Sequence, residues 1–426
     1  MHELTRLIKT DMKPALGVTE PGAIAFAVAK ARSYTKGELL SVHVAMNSGM
    51  YKNAFTCGIP NSPEVGNVFS AALGAVAGNA DAGLEALSSV TEEDNETARA
   101  LVGAGRVTVS MQEITSRIFI EATVRTAADT ATVTVRDSHT HITRITVNGE
   151  TVFTDDAAQG SDDGADSVPL IHRYTLEDIF LYVSDVPAEE LSFIREAYRV
   201  NLALFEAGLK SERTAFAKRL LANNGGKVFS DGEEATASLL CNAAIEARVI
   251  GLDMPAMSIT GSGAHGIIAT LPLYAAYRVN GYSEEALLRA TALSYLICMY
   301  IKEYSGRLSA FCGCAIAAGS GMACALAYLR GGGVREMTYV LQNMAGSITG
   351  MICDGGNLGC TMKGVAAVAA AYRSVDFAMH GVYIPSVHGV IGKTPEDTMR
   401  NMGRIASPGM VGTEETIVEI LQEKNR

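Results

Sequence analysis

The chain has 426 residues, which is enough for two or three folding units and excludes a small scaffold that depends on disulfides. Hydrophobic residues make up 48% and charged residues 19%, at a mean hydropathy of +0.16, and this composition excludes a disordered chain. With 46 acidic and 35 basic side chains the net charge is −11, and no run of Lys or Arg forms a basic stripe, so we expect no nucleic-acid partner.

The N-terminal segment bears on the cellular compartment. The first residues, MHELTRLIKTDMKPALG, alternate charged and apolar positions at helical spacing and lack the apolar stretch of a secretory signal. We therefore expect a cytoplasmic protein. Its eight cysteines, at irregular intervals, are then expected to be reduced thiols, some of them metal ligands, and not a disulfide framework.

The first third of the sequence mixes helical and strand patterns. Gly22 to Tyr34 is apolar at helical intervals, Leu39 to Asn47 alternates like a strand, and Asn67 to Gly78 predicts a helix of small residues. From Arg106 to Phe153, runs rich in Val, Ile and Thr alternate with period two, which predicts an antiparallel sheet with one solvated face. The pair Asn148-Gly149 predicts a hairpin turn within it.

The acidic, glycine-spaced segment from Asp155 to Ser167 has no apolar periodicity and is the best candidate for a linker. We place a domain boundary there, between a mixed α/β domain of residues 1–167 and a helical domain of residues 168–426, which makes the fold class α+β. The strongest helical periodicities of the second domain cover Leu176 to Val183, Ala188 to Leu209, Ser211 to Leu221, Glu233 to Val249 and Ser283 to Glu303.

One stretch, Leu308 to Leu329, has 22 residues without a charge and is long enough to cross a bilayer. Ala, Gly, Ser and Cys dominate it, and their transfer free energies are small. Its glycines suit close backbone packing. We therefore expect a buried core segment and no membrane association.

Three cysteines of the second domain are candidate metal ligands. Cys314 lies in FCGC, and Cys353 and Cys360 open and close ICDGGNLGC, where the glycines predict a loop that presents both thiolates. The alternative is that these cysteines are small buried hydrophobes, and their spacing alone does not decide between the two. The hydrophobic interpretation is the one we adopt for Cys57, Cys241, Cys298 and Cys324.

A second candidate is the segment GSGAHGI, from Gly261 to Ile267. Successive N–H groups at Ser262 and Gly263 could bind a substrate carboxylate, with His265 as an acid or base. The alternative is a helix entry whose glycines only permit tight packing, and both interpretations stay open.

Five other polar residues each have both a structural and a functional interpretation. Thr19 is a good N-cap and Glu20 suits the positive end of a helix, so both can be structural unless that helix end faces a ligand. Lys52 and Asn53 follow a strand end, where substrate-binding groups often collect, although a solvated turn is the simpler expectation. Lys302 follows twelve uncharged residues; we expect it to reach the surface, with a desolvated base as the alternative.

Taken together, several segments resemble one family in their order and spacing. The chain looks like a member of the iron–sulfur L-serine dehydratase alpha-subunit family, in its L-cysteine desulfidase-like branch, and the likeness runs essentially from end to end. The segments that carry it are TEPGAIAFAVAKA, YKNAFTCGIP, GSGAHGI, YIKEYSGRLSAFCGCAIAAGSGMACA, TGMICDGGNLGC and EDTMRNMGRIASPGM.

The resemblance implies a [4Fe-4S] cluster bound by Cys314, Cys353 and Cys360, with one iron left open and Cys312 as the rival for the first ligand. It implies β-elimination from a small amino acid, either cysteine to pyruvate, ammonia and sulfide or serine to pyruvate and ammonia. We expect the protein to form a homo-oligomer. The residues expected to act on the substrate are His265 and Lys302 in proton transfer, and Thr19, Glu20, Lys52, Asn53, Ser262 and Gly263 in binding.

The sequence departs from the family at the position before Thr-Glu-Pro. The desulfidases have a cysteine there, proposed as the base, and the dehydratases place a histidine in the comparable motif, whereas this chain has Val18. Ala264 also replaces the usual Asn, and NSPEVGN replaces a more glycine-rich stretch. Valine cannot transfer a proton, so another group takes the role, the substrate differs, or the chain is a non-catalytic iron–sulfur or small-ligand sensor. Zinc at the same thiolates is a further alternative.

Overall fold

The computed structural model describes residues 1–155, 168–306 and 308–424. In this part of the chain an α/β region precedes a predominantly helical region, which confirms the predicted α+β class. Residues 156–167 hold most of the predicted acidic loop and lie outside the described residues. The domain boundary placed there stays a prediction.

The α/β region alternates helices and strands before it becomes a β-meander. Its described elements are α1 (Glu3–Asp11), β1 (Lys13–Leu16), α2 (Thr19–Ser33), β2 (Leu39–Asn47), α3 (Ser48–Ala54), α4 (Gly66–Val76), α5 (Glu92–Gly103), β3 (Val107–Glu113), β4 (Phe119–Thr126), β5 (Thr130–Arg136), β6 (Ile142–Val147) and β7 (Glu150–Thr154).

The main sheet has the strand order β3-β2-β4-β5-β6-β7. Its pairs are antiparallel as predicted, except that β2 and β3 are parallel, because α3, α4 and α5 carry the chain back across the sheet between them. Ile120, Ala122 and Val124 of β4 are buried, and α2 packs against β4 and β5. Positive φ at Asn148 and Gly149, 51° and 86°, confirms the hairpin turn between β6 and β7.

Long helices form most of the second region. Its described elements are α6 (Leu176–Asp185), α7 (Arg195–Lys210), α8 (Phe216–Asn223), α9 (Glu233–Val249), β8 (Pro255–Ser258), α10 (Gly263–Asn280), α11 (Glu284–Ser305), α12 (Gly319–Leu329), α13 (Val334–Ile348), α14 (Gly359–Met379), α15 (Pro395–Arg404) and α16 (Val411–Glu423).

The core of this region forms where α9 to α12 and α14 pack on one another. Small residues set the distances between these helices: a Cβ at Gly321 of α12 would lie 2.2 Å from the Ser294 carbonyl oxygen of α11. The uncharged stretch Leu308 to Leu329 is mostly buried in this core, as predicted. A search of the described residues for a helix with the length and apolarity of a membrane span finds none.

Among the contacts that join the α/β region to the helical region, two lie near the cysteine-bearing segments. Strand β1 pairs antiparallel with β8, with Lys13 opposite Ser258 and Leu16 opposite Pro255. Helix α16, near the other end of the chain, packs against α3. These contacts place the entrance to α2 and all of α3 beside the helices that carry the cysteines.

The contact between α10 and β8 leaves no room for a side chain at Gly266. A Cβ there would lie 1.9 Å from the Met257 carbonyl oxygen, so either the helix or the strand must move. We expect Gly266→Ala to lower the free energy of unfolding by about 1–3 kcal/mol, the usual cost of overpacking, as measured by urea denaturation. Gly103→Ala is the matched control, because Gly103 is also helical and has nothing within 4 Å of its added Cβ. Equal denaturation midpoints for both variants would contradict the close approach.

Candidate active site

A cavity of about 90 Å³ lies where the two regions meet, and we call it the thiol cavity. It is lined by the N-terminal ends of α2 and α10, the last turns of α9 and α11, and the segments that carry Cys314, Cys353 and Cys360. These sulfurs lie 39 and 7 positions apart along the chain, and tertiary structure alone brings them to one space. The three cysteines therefore line one cavity, and their role as ligands stays a prediction.

Backbone pairing aligns the first two cysteine segments. Phe311 and Ile352 form an antiparallel bridge, the Cys312 amide donates to the Met351 carbonyl oxygen at 3.0 Å, and the Cys353 amide donates to the Ala310 carbonyl oxygen at 2.6 Å. Cys314 follows at the start of a π-helical turn, a form that often marks functional sites. The pairing thus fixes the distance between the Cys314 and Cys353 segments.

The structure separates the two candidates for the first ligand. Cys314 lines the thiol cavity and is half-buried, whereas Cys312 is 4% exposed and lies behind the wall. A hydrogen bond to the Cys314 thiol, together with burial, raises the pKa of Cys312 well above its usual value. The geometry therefore favours Cys314.

Cys353 and Cys360 were both predicted to lie in one loop, and only one of them does. Cys353 lies in a loop, as expected, but Cys360 lies in the first turn of α14. The loop can reach this position because Gly355, at φ 110°, packs against the Lys52 carbonyl oxygen, 2.4 Å from where a Cβ would be. Burial raises the pKa of Cys353, and burial with the nearby Cys353 raises the pKa of Cys360 to about 12. Both are thiols at neutral pH, so metal binding must release their protons.

Among the described residues, the three thiols are not grouped as closely as the ligands of a single metal ion. Within the described residues, no three His, Cys, Asp or Glu side chains are grouped as one metal ion would require. A cubane cluster does not need such convergence, because each thiolate binds a different iron. Three thiols that line one cavity are therefore compatible with the iron–sulfur interpretation.

Two predicted proton-transfer residues lie in the cavity wall. The Nδ1 atom of His265 is 2.5 Å from the Thr260 hydroxyl, and burial with the charges of Lys302 and Arg248 lowers the pKa of His265 well below its usual value. Its imidazole is thus neutral at pH 7 and can accept a proton. The expectation that Lys302 reaches the surface is wrong: it is 7% exposed, since it lies in the last turn of α11 within the core, and burial lowers its pKa.

Most predicted substrate-binding residues also line the thiol cavity. They are Thr19, Glu20, Asn53 and Ser262. Glu20 accepts a hydrogen bond from the Asn53 amide at 2.8 Å. Gly263 begins α10 beside them, with its Cα close to the side chain of Arg248.

Two structural interpretations of these residues are wrong. Thr19 is not the N-cap of α2: Gly17 turns the chain at φ 63°, and Val18 then occupies the cap position. The Thr19 hydroxyl is buried and has no hydrogen-bond partner among the described residues. Lys52 and Asn53 are not in a solvated turn but in α3, where Lys52 is 1% exposed. The Lys52 ammonium group contacts Glu414 Oε2 at 2.6 Å and the Ser309 carbonyl oxygen at 3.0 Å.

Sequence reasoning missed two residues of the cavity. His139 comes from the connection between β5 and β6, and Arg248 from the last turn of α9. No local motif marks His139. Arg248 has a weak signal, because it is one of two charged residues in the mostly apolar run from Leu239 to Val249.

Comparison with known proteins identifies the family of the chain. Residues 81–419 match the family model described as serine dehydratase alpha chain, so the chain belongs to the serine dehydratase alpha chain family. It is also similar over nearly its whole length to proteins named UPF0597. One from Clostridium botulinum is 38% identical over 99% of both chains. One from Caldanaerobacter subterraneus is 37% identical over 99% of this chain and 98% of the relative, and one from Methanocella arvoryzae is 34% identical over 98% and 97%.

Proposed function

We propose that the chain is an iron–sulfur-dependent lyase that eliminates the β-substituent of a small amino acid, as an L-cysteine desulfidase does. The observation that carries the proposal is the convergence of Cys314, Cys353 and Cys360 on one cavity. Membership of the serine dehydratase alpha chain family supports the same reaction class. Cysteine is the first substrate to test and serine is the second.

The three thiolates would hold a [4Fe-4S] cluster, which when bound supplies a Lewis acid that draws charge onto the departing thiolate or hydroxide. The residues of the chain have separate tasks. Glu20, held by Asn53, faces the cavity with a carboxylate suited to the substrate ammonium group. The first turn of α10, beginning at Gly263, offers N–H groups that have no acceptor within the helix, whereas the Ser262 N–H already donates to the Ile259 carbonyl oxygen at 3.1 Å. His265, neutral at pH 7, takes the α-proton in this proposal.

Val18 is the reason that another residue must accept the substrate α-proton. Its side chain lines the cavity and lies 3.0 Å from where a Cβ on Gly356 would be, so it packs against the loop between Cys353 and Cys360. Position 18 is thus at the site, but it carries an aliphatic group. His265 is the nearest chemical substitute, with Lys302 as the second choice.

We expect the protein, reconstituted anaerobically with iron and sulfide, to be brown and to form pyruvate from L-cysteine or L-serine. His265→Gln should lower the rate about 10²–10⁴-fold at unchanged iron content, the usual contribution of a general base. Val18→Cys should give no comparable gain, because the base is already present. A protein that stays colourless after reconstitution would overturn the proposal.

A sensor is the second candidate function, and Val18 is the observation that favours it. A chain that keeps the thiols but has lost its base would bind a cluster and a ligand without turnover. Cluster absorption and ligand-dependent thermal stabilisation, with no product from a panel of amino acids, would support this function. Turnover of any member of the panel would exclude it.

A further inference from the structure

Arg248 is a buried cation at the thiol cavity, and no described residue supplies it with a counter-ion. It lies in the last turn of α9, is 5% exposed and lines the cavity. Its Nε–H group is buried without a hydrogen-bond partner, and within the described residues its guanidinium takes part in no hydrogen bond or ion pair. A buried charge without a partner is strongly unfavourable, so an anionic ligand would be stabilised at this point.

The surroundings of Arg248 add to its positive potential. The N-terminal end of α10, an 18-residue helix, begins at Gly263, and the Ser262 side chain does not cap it. A Cβ on Gly263 would lie 2.7 Å from Arg248 Nε, so the glycine makes room for the guanidinium beside the free N–H groups of the helix. The guanidinium and the positive helix end therefore act on the same part of the cavity.

The cavity is also lined by an acidic residue. Glu20 lines it, and no ion pair joins Glu20 to Arg248, although both act on the same thiol. Burial first, and then the charge of Glu20, raises the pKa of Cys57, whereas the charge of Arg248 opposes that increase. A ligand that carries an anion and a cation a few bonds apart would match this pair of charges.

We propose that Arg248 binds the carboxylate of a small α-amino acid through two parallel N–H···O hydrogen bonds, with the α10 N-terminus as a further donor. This inference rests on the proposed function for its substrate class, and it names the group that selects an amino acid. The planar guanidinium suits a carboxylate in a way that an ammonium group does not.

The test measures equilibrium binding of L-alanine and L-alaninamide to the anaerobically reconstituted protein by calorimetry. L-alanine has no β-leaving group, and the amide differs from it by the loss of the carboxylate charge. The unaltered protein should bind L-alanine on the order of 100-fold more tightly than the amide. Arg248→Met should abolish this difference by weakening L-alanine alone. Arg248→Lys, which keeps the charge without the planar fork, should retain part of it.

Arg289→Met is the matched control, because the Arg289 side chain is 14% exposed and donates to the Val183 carbonyl oxygen on α6, in a different part of the fold. It should leave the binding difference intact. An unchanged difference in Arg248→Met, or in Arg248→Lys if the Met variant does not fold, would overturn the inference. Loss of iron content and visible absorption in both Arg248 variants would also overturn the inference, because Arg248 would then be required for binding the cluster. Absence of L-alanine binding to the unaltered protein counts equally against it.

The outcomes separate this inference from the proposed function. Binding that depends on Arg248, in a protein that forms no pyruvate, would leave the carboxylate site standing while the lyase proposal fails. Turnover of cysteine or serine with an unchanged binding difference would overturn only the role of Arg248.

Discussion

A Cys360→Ser variant is expected to lose its iron–sulfur cluster and, with it, pyruvate formation. Cys360 lines the thiol cavity from the first turn of α14, and its sulfur lies 3.4 Å from the Gly355 carbonyl oxygen, so the loop and the helix fix its place. Even outer-shell changes cost 10- to 100-fold in metal affinity, so loss of a direct ligand should lower occupancy by more than about 100-fold. Iron analysis and visible absorption after anaerobic reconstitution measure this loss.

Other cysteines of the chain supply the controls. Cys324→Ser should keep the cluster, because Cys324 is buried in α12 and its sulfur contacts the Met337 carbonyl oxygen, away from the cavity. Cys314→Ser should match the Cys360 variant, whereas Cys312→Ser should retain iron. The reverse result for Cys312 and Cys314 would show that the wrong thiol of the FCGC segment has been assigned.

The second large effect is expected at the ion pair between Lys52 and Glu414. Their side chains are 0% and 7% exposed, so water screens the pair very little. Glu414→Gln would leave the Lys52 ammonium group buried with mainly the Ser309 carbonyl oxygen as a partner. Breaking one side of a buried pair costs about 3–5 kcal/mol, and we expect a decrease of that size in the free energy of unfolding. Guanidinium denaturation measures it.

Two variants make this expectation specific. Glu415→Gln changes the exposed neighbour on α16 and should have an effect within about 0.5 kcal/mol. The double variant Lys52→Met with Glu414→Leu removes both charges and should recover most of the lost stability. A single Glu414→Gln variant as stable as the unaltered protein would contradict a structural role for the pair. Since Ser309 lines the thiol cavity, the pair also anchors one cavity wall to α3.

Local patterns predicted most elements of the fold. The α2, β2, α4 and α9 segments were predicted within a few residues, because each has a period that matches one face of its element. The Asn148-Gly149 turn was predicted because its backbone conformation depends on those two residues alone. The parallel pairing of β2 with β3 was not predictable in this way, since strand partners depend on how the intervening helices pack.

In the candidate site, too, some residues were predictable from the sequence and others were not. The motifs indicated Cys314, Cys353, Cys360 and His265, but the choice between Cys312 and Cys314 required knowing which thiol faces the cavity. The burial of Lys302 was predicted wrongly, because apolar neighbours along a helix do not show whether its end reaches solvent. Arg248 belongs to no motif that the sequence displays.

The sequence by itself determined the class of fold, which follows from periodicity, and the family likeness, which follows from the order of motifs and implies the candidate thiol ligands. Only the tertiary structure decided which charges share the cavity: Lys52 is turned toward Glu414, while Arg248 lies at the cavity with no counter-ion in the part of the chain that the structure describes. The physical reason is that the cost of a buried charge depends on partners that are distant along the chain.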